Sequence, residues 1–371
     1  MKKDQIVAST LIFYLLLISC SIEETKNQVI DLSKVETIIP KELIRFDKVD
    51  SLYFGYVGIN SFAFDDGSFV LPVWDPTSFV KISEDGGKVL AKTLKGRGPG
   101  ELLDIGTPTW DGEDQVYVYD QFQKKIVLYN TDLNLVREFV VKLDNGWRAI
   151  RIFPELQEGK YVVEGGPRSF KVAEMDKKRV YVYDLNSEET ERKLDLYSHP
   201  YIPLGDLING GSGSAMQLPF GNDQFIVYKP DSKTLLLFDT RTDLIAEINI
   251  NFDTLRTIPV NIPKEELTAS EIDDMEKIEK KDGMRNSDWL RIEEALPEFK
   301  AQAKDMIYHK QKIWLKTHLK SDYDKWLVIN MKGEIVKVVN LPKNSFLTHV
   351  SEHHLGIRLD DSTFGLFEAV E

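Results

Sequence analysis

Residues 115–142 read QVYVYDQFQKKIVLYNTDLNLVREFVVK, in which three runs of alternating apolar and polar side chains are separated by two polar turns. Residues 224–251 read QFIVYKPDSKTLLLFDTRTDLIAEININ and repeat that pattern nearly position by position. In both copies the second run ends in an aromatic residue followed by Asn or Asp, at Tyr129 and at Phe238. Alternation with a period of two, rich in β-branched and aromatic residues, is typical of half-buried antiparallel strands. Each segment therefore predicts a unit of three antiparallel strands.

The same pattern recurs along most of the chain. It is found, more loosely in the second case, in residues 68–93, 159–196, 312–341 and 354–370. Six such repeats predict an all-β fold, a six-bladed β-propeller in which each sheet packs on the next and few strand edges stay free. The last repeat stops without its final strand, so a strand from residues 42–56 is expected to complete it and close the ring. An open β-sandwich is the alternative.

The β pattern is interrupted once, within about residues 262–303. Thr268 and Glu271 have the spacing of a capping box and predict the start of one helix, which ends at Gly283. A second short helix is expected from Ser287 to Pro297. This helical insertion lies either in the connection between the fourth and fifth repeats or in place of the first strand of the fifth. It is a packed covering of one opening or, alternatively, a lid or docking surface.

The N-terminal segment has the order of a secretion signal. Two lysines are followed by an apolar run over about residues 10–18, which is shorter than the roughly 20 residues needed to cross a bilayer. Residues 17–20, Leu-Ile-Ser-Cys, resemble the lipobox of bacterial lipoproteins, which implies that the thiol of Cys20 is lipidated. We therefore expect a signal peptide over residues 1–19, a tether over 20–35 and the propeller over 36–371. A buried core cysteine is the alternative role for Cys20.

Acidic residues directly after the cysteine, in Ser-Ile-Glu-Glu at positions 21–24, resemble the signal that sends some lipoproteins to the cell surface; they would also suit an ordinary solvated linker. The expected location is the bacterial outer membrane, on its periplasmic face or at the cell surface. Cys20 is the only cysteine of the chain, so neither a disulfide within the chain nor a multi-thiolate metal site is expected.

The composition limits the class of protein further. Of 371 residues, 42% are apolar and 29% are charged, which indicates a folded protein with a large core. The formal net charge is −13. Non-specific binding to nucleic acid depends on clustered cations, so nucleic acid is excluded as a partner.

The most distinctive local motif is GRGPGE, residues 96–101, between the first two repeats. It lacks the Gly-Lys-Ser/Thr of a phosphate-binding loop, and no helix follows it. In a propeller this connection lies on the face where ligands commonly enter the central channel. Arg97 and Glu101 are therefore the candidate ligand-binding residues, because guanidinium donors suit a carboxylate or another planar anion. Alternatively, they pair with each other or with a neighbouring blade.

With this motif the whole chain resembles a family of six-bladed propeller lipoproteins of Gram-negative bacteria, related to NHL-type propellers. The resemblance rests on the lipobox, on GRGPGE after the first blade, on Leu-Pro-Glu-Phe at 296–299 before an Ile-Trp strand, and on the repeats. It implies the propeller fold and carries over no catalytic residue.

Other motifs have simpler interpretations. The six histidines show no metal-binding spacing, and no Gly-x-Ser-x-Gly is present. The acidic segments 65–67 and 111–114 lack the alternating ligands of a calcium loop and are expected to form tight turns. The glycine-rich segment 210–213 is expected to be a loop. No metal and no cofactor are expected.

Two functions remain open. The first is a membrane-anchored, non-catalytic protein that binds a peptide, a glycan or a partner protein at the channel mouth. The second is a propeller-type hydrolase or lyase with a channel site, with or without a metal ion. Three or more Asp, Glu, Asn or His side chains converging in the channel would favour the enzyme.

Overall fold

The structure of the protein is a computed structural model that describes residues 30–49, 52–74, 77–168, 176–205 and 213–370. Six antiparallel sheets follow one another along the chain, and the first strand of each lines a central channel. The six-bladed β-propeller is thus confirmed, and the open β-sandwich is wrong.

The N-terminal strands and the first two blades come first. A short 3-10 helix, Leu32–Lys34, is followed by β1 (Thr37–Ile38), β2 (Glu42–Phe46), β3 (Lys48–Val49) and β4 (Leu52–Tyr53). The first blade contains β5 (Phe62–Ala63), β6 (Phe69–Trp74), β7 (Thr77–Ile82) and β8 (Lys88–Thr93). The second contains β9 (Thr109–Trp110), β10 (Gln115–Asp120), β11 (Lys125–Asn130) and β12 (Leu135–Val140).

The third and fourth blades flank a separate hairpin. The third blade contains β13 (Trp147–Gln157), β14 (Lys160–Pro167), β15 (Lys177–Asp184) and β16 (Glu189–Tyr197). The hairpin is β17 (Tyr201–Gly205) with β18 (Gly213–Gln217). The fourth blade contains β19 (Gln224–Lys229), β20 (Thr234–Asp239), β21 (Leu244–Ile248) and β22 (Thr254–Pro259), with a 3-10 turn at Pro230–Ser232.

Two helices precede the fifth and sixth blades: α1 (Ala269–Lys281) and α2 (Asn286–Ala295). The fifth blade contains β23 (Asp305–His309), β24 (Lys312–Lys316), β25 (Asp324–Asn330) and β26 (Ile335–Leu341). The sixth contains β27 (Phe346–Val350), β28 (His354–Arg358) and β29 (Phe364–Glu368). In the described part of the chain, no helix has the length and apolar character to cross a bilayer.

The N-terminal strands close the ring. Strand β2 pairs antiparallel with β29 and so becomes the outer strand of the sixth blade, as residues 42–56 were expected to do. Strand β1 adds parallel to β26 and gives the fifth blade a fifth strand. The edges of the last two blades are thus covered by the chain itself, which leaves fewer free backbone groups for pairing with another molecule.

The core consists of apolar clusters between neighbouring blades. Between the sixth and first blades, Phe69 and Phe364 are both fully buried and stack with ring centroids 5.6 Å apart. Between the first and second blades, Phe79 meets Tyr129 edge-on at 5.9 Å. Because each blade buries both faces, the alternating strands carry large side chains on both sides.

The two most similar sequence repeats occupy different radial positions. Residues 115–142 form the second, third and fourth strands of their blade, whereas residues 224–251 form the first, second and third of theirs. The assumption that the two copies are equivalent is therefore wrong by one strand. Three consecutive strands of a blade show similar alternation wherever they lie in it, so periodicity alone does not fix the radial position.

The helical insertion lies in the connection between the fourth and fifth blades, because the first strand of the fifth blade, β23, is present. Thr268 and Glu271 form the expected capping box, and Gly283 has a φ of +94° after the first helix. Trp289 and Ile292 of α2 are buried against the β17–β18 hairpin. Ile278 of α1 is 60% exposed.

Candidate functional site

The central channel of the propeller encloses a cavity of about 780 Å³. The first strands of all six blades line it, together with residues that flank these strands in every blade but the third. Ligand sites commonly have volumes of roughly 300–1,000 Å³ and combine apolar walls with a few polar groups. The channel is therefore the candidate site.

The polar lining of the channel is predominantly acidic. Two side chains with a permanent positive charge, Arg151 and Lys310, contribute to the lining. Against these stand six carboxylates: Asp65, Asp111, Glu113, Asp231, Asp305 and Glu352. A lining of this composition attracts cations and repels anions.

Most of these carboxylates have partners in the protein. Asp231 accepts hydrogen bonds from the hydroxyl of Tyr308 at 2.9 and 3.0 Å. Glu352 pairs with Lys310 at 2.8 Å. Asp111 accepts three backbone N–H groups of its own turn at 2.8–3.1 Å. Segments 65–67 and 111–114 thus form turns, as expected, and Asp65, Asp111 and Glu113 in these turns also line the channel.

Asp305, the first residue of β23, is different. Its carboxylate accepts one hydrogen bond within the described chain, from the N–H of Met306 at 2.8 Å. Burial raises the pKa of Asp305 to about 6, although the Met306 N–H and nearby cations act in the opposite direction. Near neutral pH this group is therefore a carboxylate held in an unfavourable environment.

Two histidines of the lining are neutral near pH 7. Burial lowers the pKa of His309 to about 4, with a smaller contribution from Lys310 in the same direction. Burial also holds the pKa of His349 well below its usual range. The His349 ring contacts Ser61 through Nδ1 and packs on Phe69 with centroids 5.5 Å apart. His349 thus serves the packing between the first and sixth blades.

Aromatic side chains form part of the wall. Phe62 meets Phe64 edge-on at 5.6 Å, and Phe64 meets Trp110 edge-on at 5.5 Å. Such edge-to-face pairs stabilise each other beyond their apolar burial. They give one side of the cavity a fixed apolar surface.

The GRGPGE junction lies outside the cavity lining. Glu101 Oε2 accepts the N–H of Gly98 at 2.6 Å, and Tyr129 of the second blade donates its hydroxyl to the Gly100 carbonyl at 2.7 Å. Lys125 donates to the Gly98 carbonyl at 3.2 Å. The junction is thus held by its own side chain and by the neighbouring blade.

Arg97 and Glu101 are both exposed and do not pair with each other. Arg97 has no hydrogen-bond or ion-pair partner among the residues that the structure describes. Neither residue is among those that line the cavity. Whether they bind a ligand elsewhere stays a prediction. Cys20 and most of segment 210–213 lie outside the described residues.

Within the described ranges, no three His, Cys, Asp or Glu side chains are arranged to hold a metal ion. The inner strands β5, β9, β23 and β27 supply most of the lining together with the residues that flank them, and they are not evident in the sequence because they are only two to five residues long. Their one signal was the recurrence of a short apolar segment before each repeat.

The class of protein is a six-bladed β-propeller with a central cavity. No protein-family model and no curated protein matches the sequence. Among solved structures, a DUF4221 family member from Bacteroides vulgatus has a TM-score of 0.51 and 12% identity, over 91% of this chain and 99% of that one. A candidate exported protein from Bacteroides fragilis has the same score and identity, over 91% and 98%. At this identity the similarity establishes the fold alone.

Proposed function

We propose that this protein is an exported propeller that binds a ligand in its central channel without transforming it. The observation that carries the proposal is the cavity of about 780 Å³, into which all six blades contribute their inner strands. Binding is a function that the fixed apolar wall and the unpaired carboxylate both support.

The proposed ligand is a short peptide, a glycan or a segment of a partner protein. The test is a thermal-shift and NMR screen of the full chain against short peptides and against neutral and amino-sugar oligosaccharides. A ligand that binds only the folded state raises the melting temperature, and the stabilisation grows with the logarithm of its concentration relative to its dissociation constant. NMR of the recovered ligand reveals any chemical conversion, which would favour the hydrolase or lyase instead.

Val227→Trp, which places an indole in the cavity, should abolish the shift. Val136→Trp on the exposed outer strand β12 is the matched control and should leave it unchanged. Binding that survives Val227→Trp in a folded protein would place the ligand outside the channel, with Arg97 and Glu101 the next location to examine.

We further propose that the protein is lipidated at Cys20 and anchored in the outer membrane, on the periplasmic face or at the cell surface. The lipobox and the resemblance to lipoprotein propellers support this assignment, and the Bacteroides fragilis structure carries the description of a candidate exported protein. Fatty-acid labelling should be lost in Cys20→Ala and retained in Ser21→Ala. Label retained by Cys20→Ala would refute the anchor, and protease treatment of whole cells distinguishes the two membrane faces.

A further inference from the structure

Asp305 has three cationic neighbours, each of which is bound to something else. Lys316 lies directly opposite it in the pairing of β23 with β24. The Lys316 ammonium nevertheless lies 2.7 Å from the carboxylate of Asp324 and donates to the Ser345 carbonyl at 2.6 Å. The cation opposite Asp305 in strand register is thus engaged by Asp324 and by the Ser345 carbonyl.

The other two cations are engaged in the same way. Arg151 of β13 lies 2.7 Å from the carboxylate of Glu164 and donates to the Ile226 carbonyl at 2.8 Å. The Lys304 ammonium lies 3.8 Å from the Asp324 carboxylate. All three cations lower the pKa of Asp305 through space, yet none forms a recorded ion pair with it in the described chain.

Asp305 is partly buried, and a carboxylate that has lost part of its hydration without gaining a charged partner is unfavourable in the free protein. A cation entering the channel would remove that cost and would meet a lining that already carries an excess of carboxylates. Apolar side chains of the same cavity, among them Phe153, Val227 and Phe346, offer a surface for the uncharged part of such a molecule.

We infer that the channel selects a ligand with a primary ammonium group, which pairs with Asp305 while its apolar body packs on the cavity wall. This inference rests on the proposed function and names the chemistry of the ligand. A free amine, a lysine side chain and an amino sugar share that chemistry.

The test uses three probes with one carbon skeleton: 4-phenylbutylamine, 4-phenylbutanol and 4-phenylbutyric acid. Their binding to the full chain is measured by ligand-observed NMR and calorimetry up to about 10 mM, because weak ligands of this size have dissociation constants near 1 mM. The amine should bind at least about tenfold more tightly than the alcohol, and the acid should bind most weakly.

Asp305→Asn should reduce binding of the amine to the level of the alcohol. Asp273→Asn is the matched control on the exposed face of α1, and it should change nothing. Lowering the pH from about 7.5 to about 5 should weaken binding of the amine about tenfold in the wild type, because Asp305 then takes up a proton. The alcohol should show no such dependence.

Equal binding of the three probes, unaffected by Asp305→Asn, would overturn the ammonium preference and leave the proposed channel function standing. Failure of the amine to bind up to about 10 mM would also overturn it. The proposed function itself is refuted only if the broader peptide and glycan screen finds no ligand sensitive to Val227→Trp. The separate screens therefore distinguish the two failures.

Discussion

The junction at residues 95–102 and the central channel differ in how their polar groups are satisfied. At the junction, the backbone carbonyls of Gly98 and Gly100 accept bonds from Lys125 and Tyr129. In the channel, Asp305 has one backbone bond and no recorded ion pair within the described residues. The motif that is conspicuous in the sequence is thus fastened by the fold, and the uncompensated charge lies in an inconspicuous segment.

The difference shows that a glycine-rich motif can arise from the needs of backbone conformation and packing as well as from ligand binding. Gly100 has a φ of +69°, and a Cβ at this position would meet the Leu135 side chain at 3.1 Å. Glycine is therefore required there by backbone conformation and close packing. A group that the protein does not satisfy internally is a better indicator of a ligand site than unusual composition.

The largest effect is expected for Lys125→Met, which tests whether the junction is structural. Lys125 is 7% exposed and lies 2.9 Å from Glu138, which also accepts the Gly100 N–H at 3.0 Å. Lys125 is buried but Glu138 is exposed to solvent, which weakens the ion pair, so loss of the ammonium and of its bond to the Gly98 carbonyl should lower the free energy of unfolding by about 2 kcal/mol. Urea denaturation measures it, and Lys124→Met, at the exposed neighbouring residue, is the control.

The same substitution should change how the protein responds to acid. Burial alone would raise the pKa of Glu138, but the Gly100 N–H and Lys125 hold it below its ordinary value. This lowered pKa contributes stability that is present above the unfolded pKa and is lost as the pH falls through the folded one. A Lys125→Met protein with unchanged stability would show that the junction does not depend on the second blade.

Asp305→Asn should raise the free energy of unfolding near pH 7, whereas Lys125→Met should lower it. The pKa of Asp305 is raised, so its contribution favours folding below the unfolded pKa of about 4 and is lost as the pH rises through about 6. Near pH 7 the variant should be more stable than the wild type by about 1–2 kcal/mol, with partial solvation by the channel limiting the gain. The difference should shrink near pH 4. Loss of stability at both pH values would show that the Asp305 side chain stabilises the folded state.

The contrast also explains which features of the fold and of the candidate site could be predicted from the sequence. Strands β10 and β11 are six residues each and alternate regularly, so the blade was predictable from them. The inner strand β9 consists of Thr109 and Trp110 alone, too short for a period-two pattern to emerge. Since inner strands line the channel, the fold was predictable and the candidate site was not. The isolation of Asp305 depends on where Lys316 and Arg151 direct their charges, which only tertiary structure determines.

A smaller effect is expected for Glu101→Ala, which removes the acceptor of the Gly98 N–H. One hydrogen bond at an exposed loop should contribute about 1 kcal/mol to the free energy of unfolding. Glu101→Gln retains a side-chain oxygen and should lose less than half of that amount. If the alanine variant is as stable as the wild type while a channel ligand binds more weakly, Glu101 acts on the ligand and its role in the loop is minor.

Arg97→Ala should have the smallest effect on stability, below about 0.5 kcal/mol, because Arg97 is exposed and lacks a recorded partner in the described part of the chain. This makes the variant a clean test of the prediction that Arg97 binds a ligand. If the channel alone is the site, the affinity for the amine probe stays within twofold of the wild-type value, and so does its dependence on salt. If Arg97 forms a separate anion site, Arg97→Ala loses the binding of 4-phenylbutyric acid and Arg97→Lys retains part of it, since a single ammonium replaces the planar fork of donors. A fall in amine affinity in Arg97→Ala would mean that the junction and the channel are coupled, and would contradict their separation.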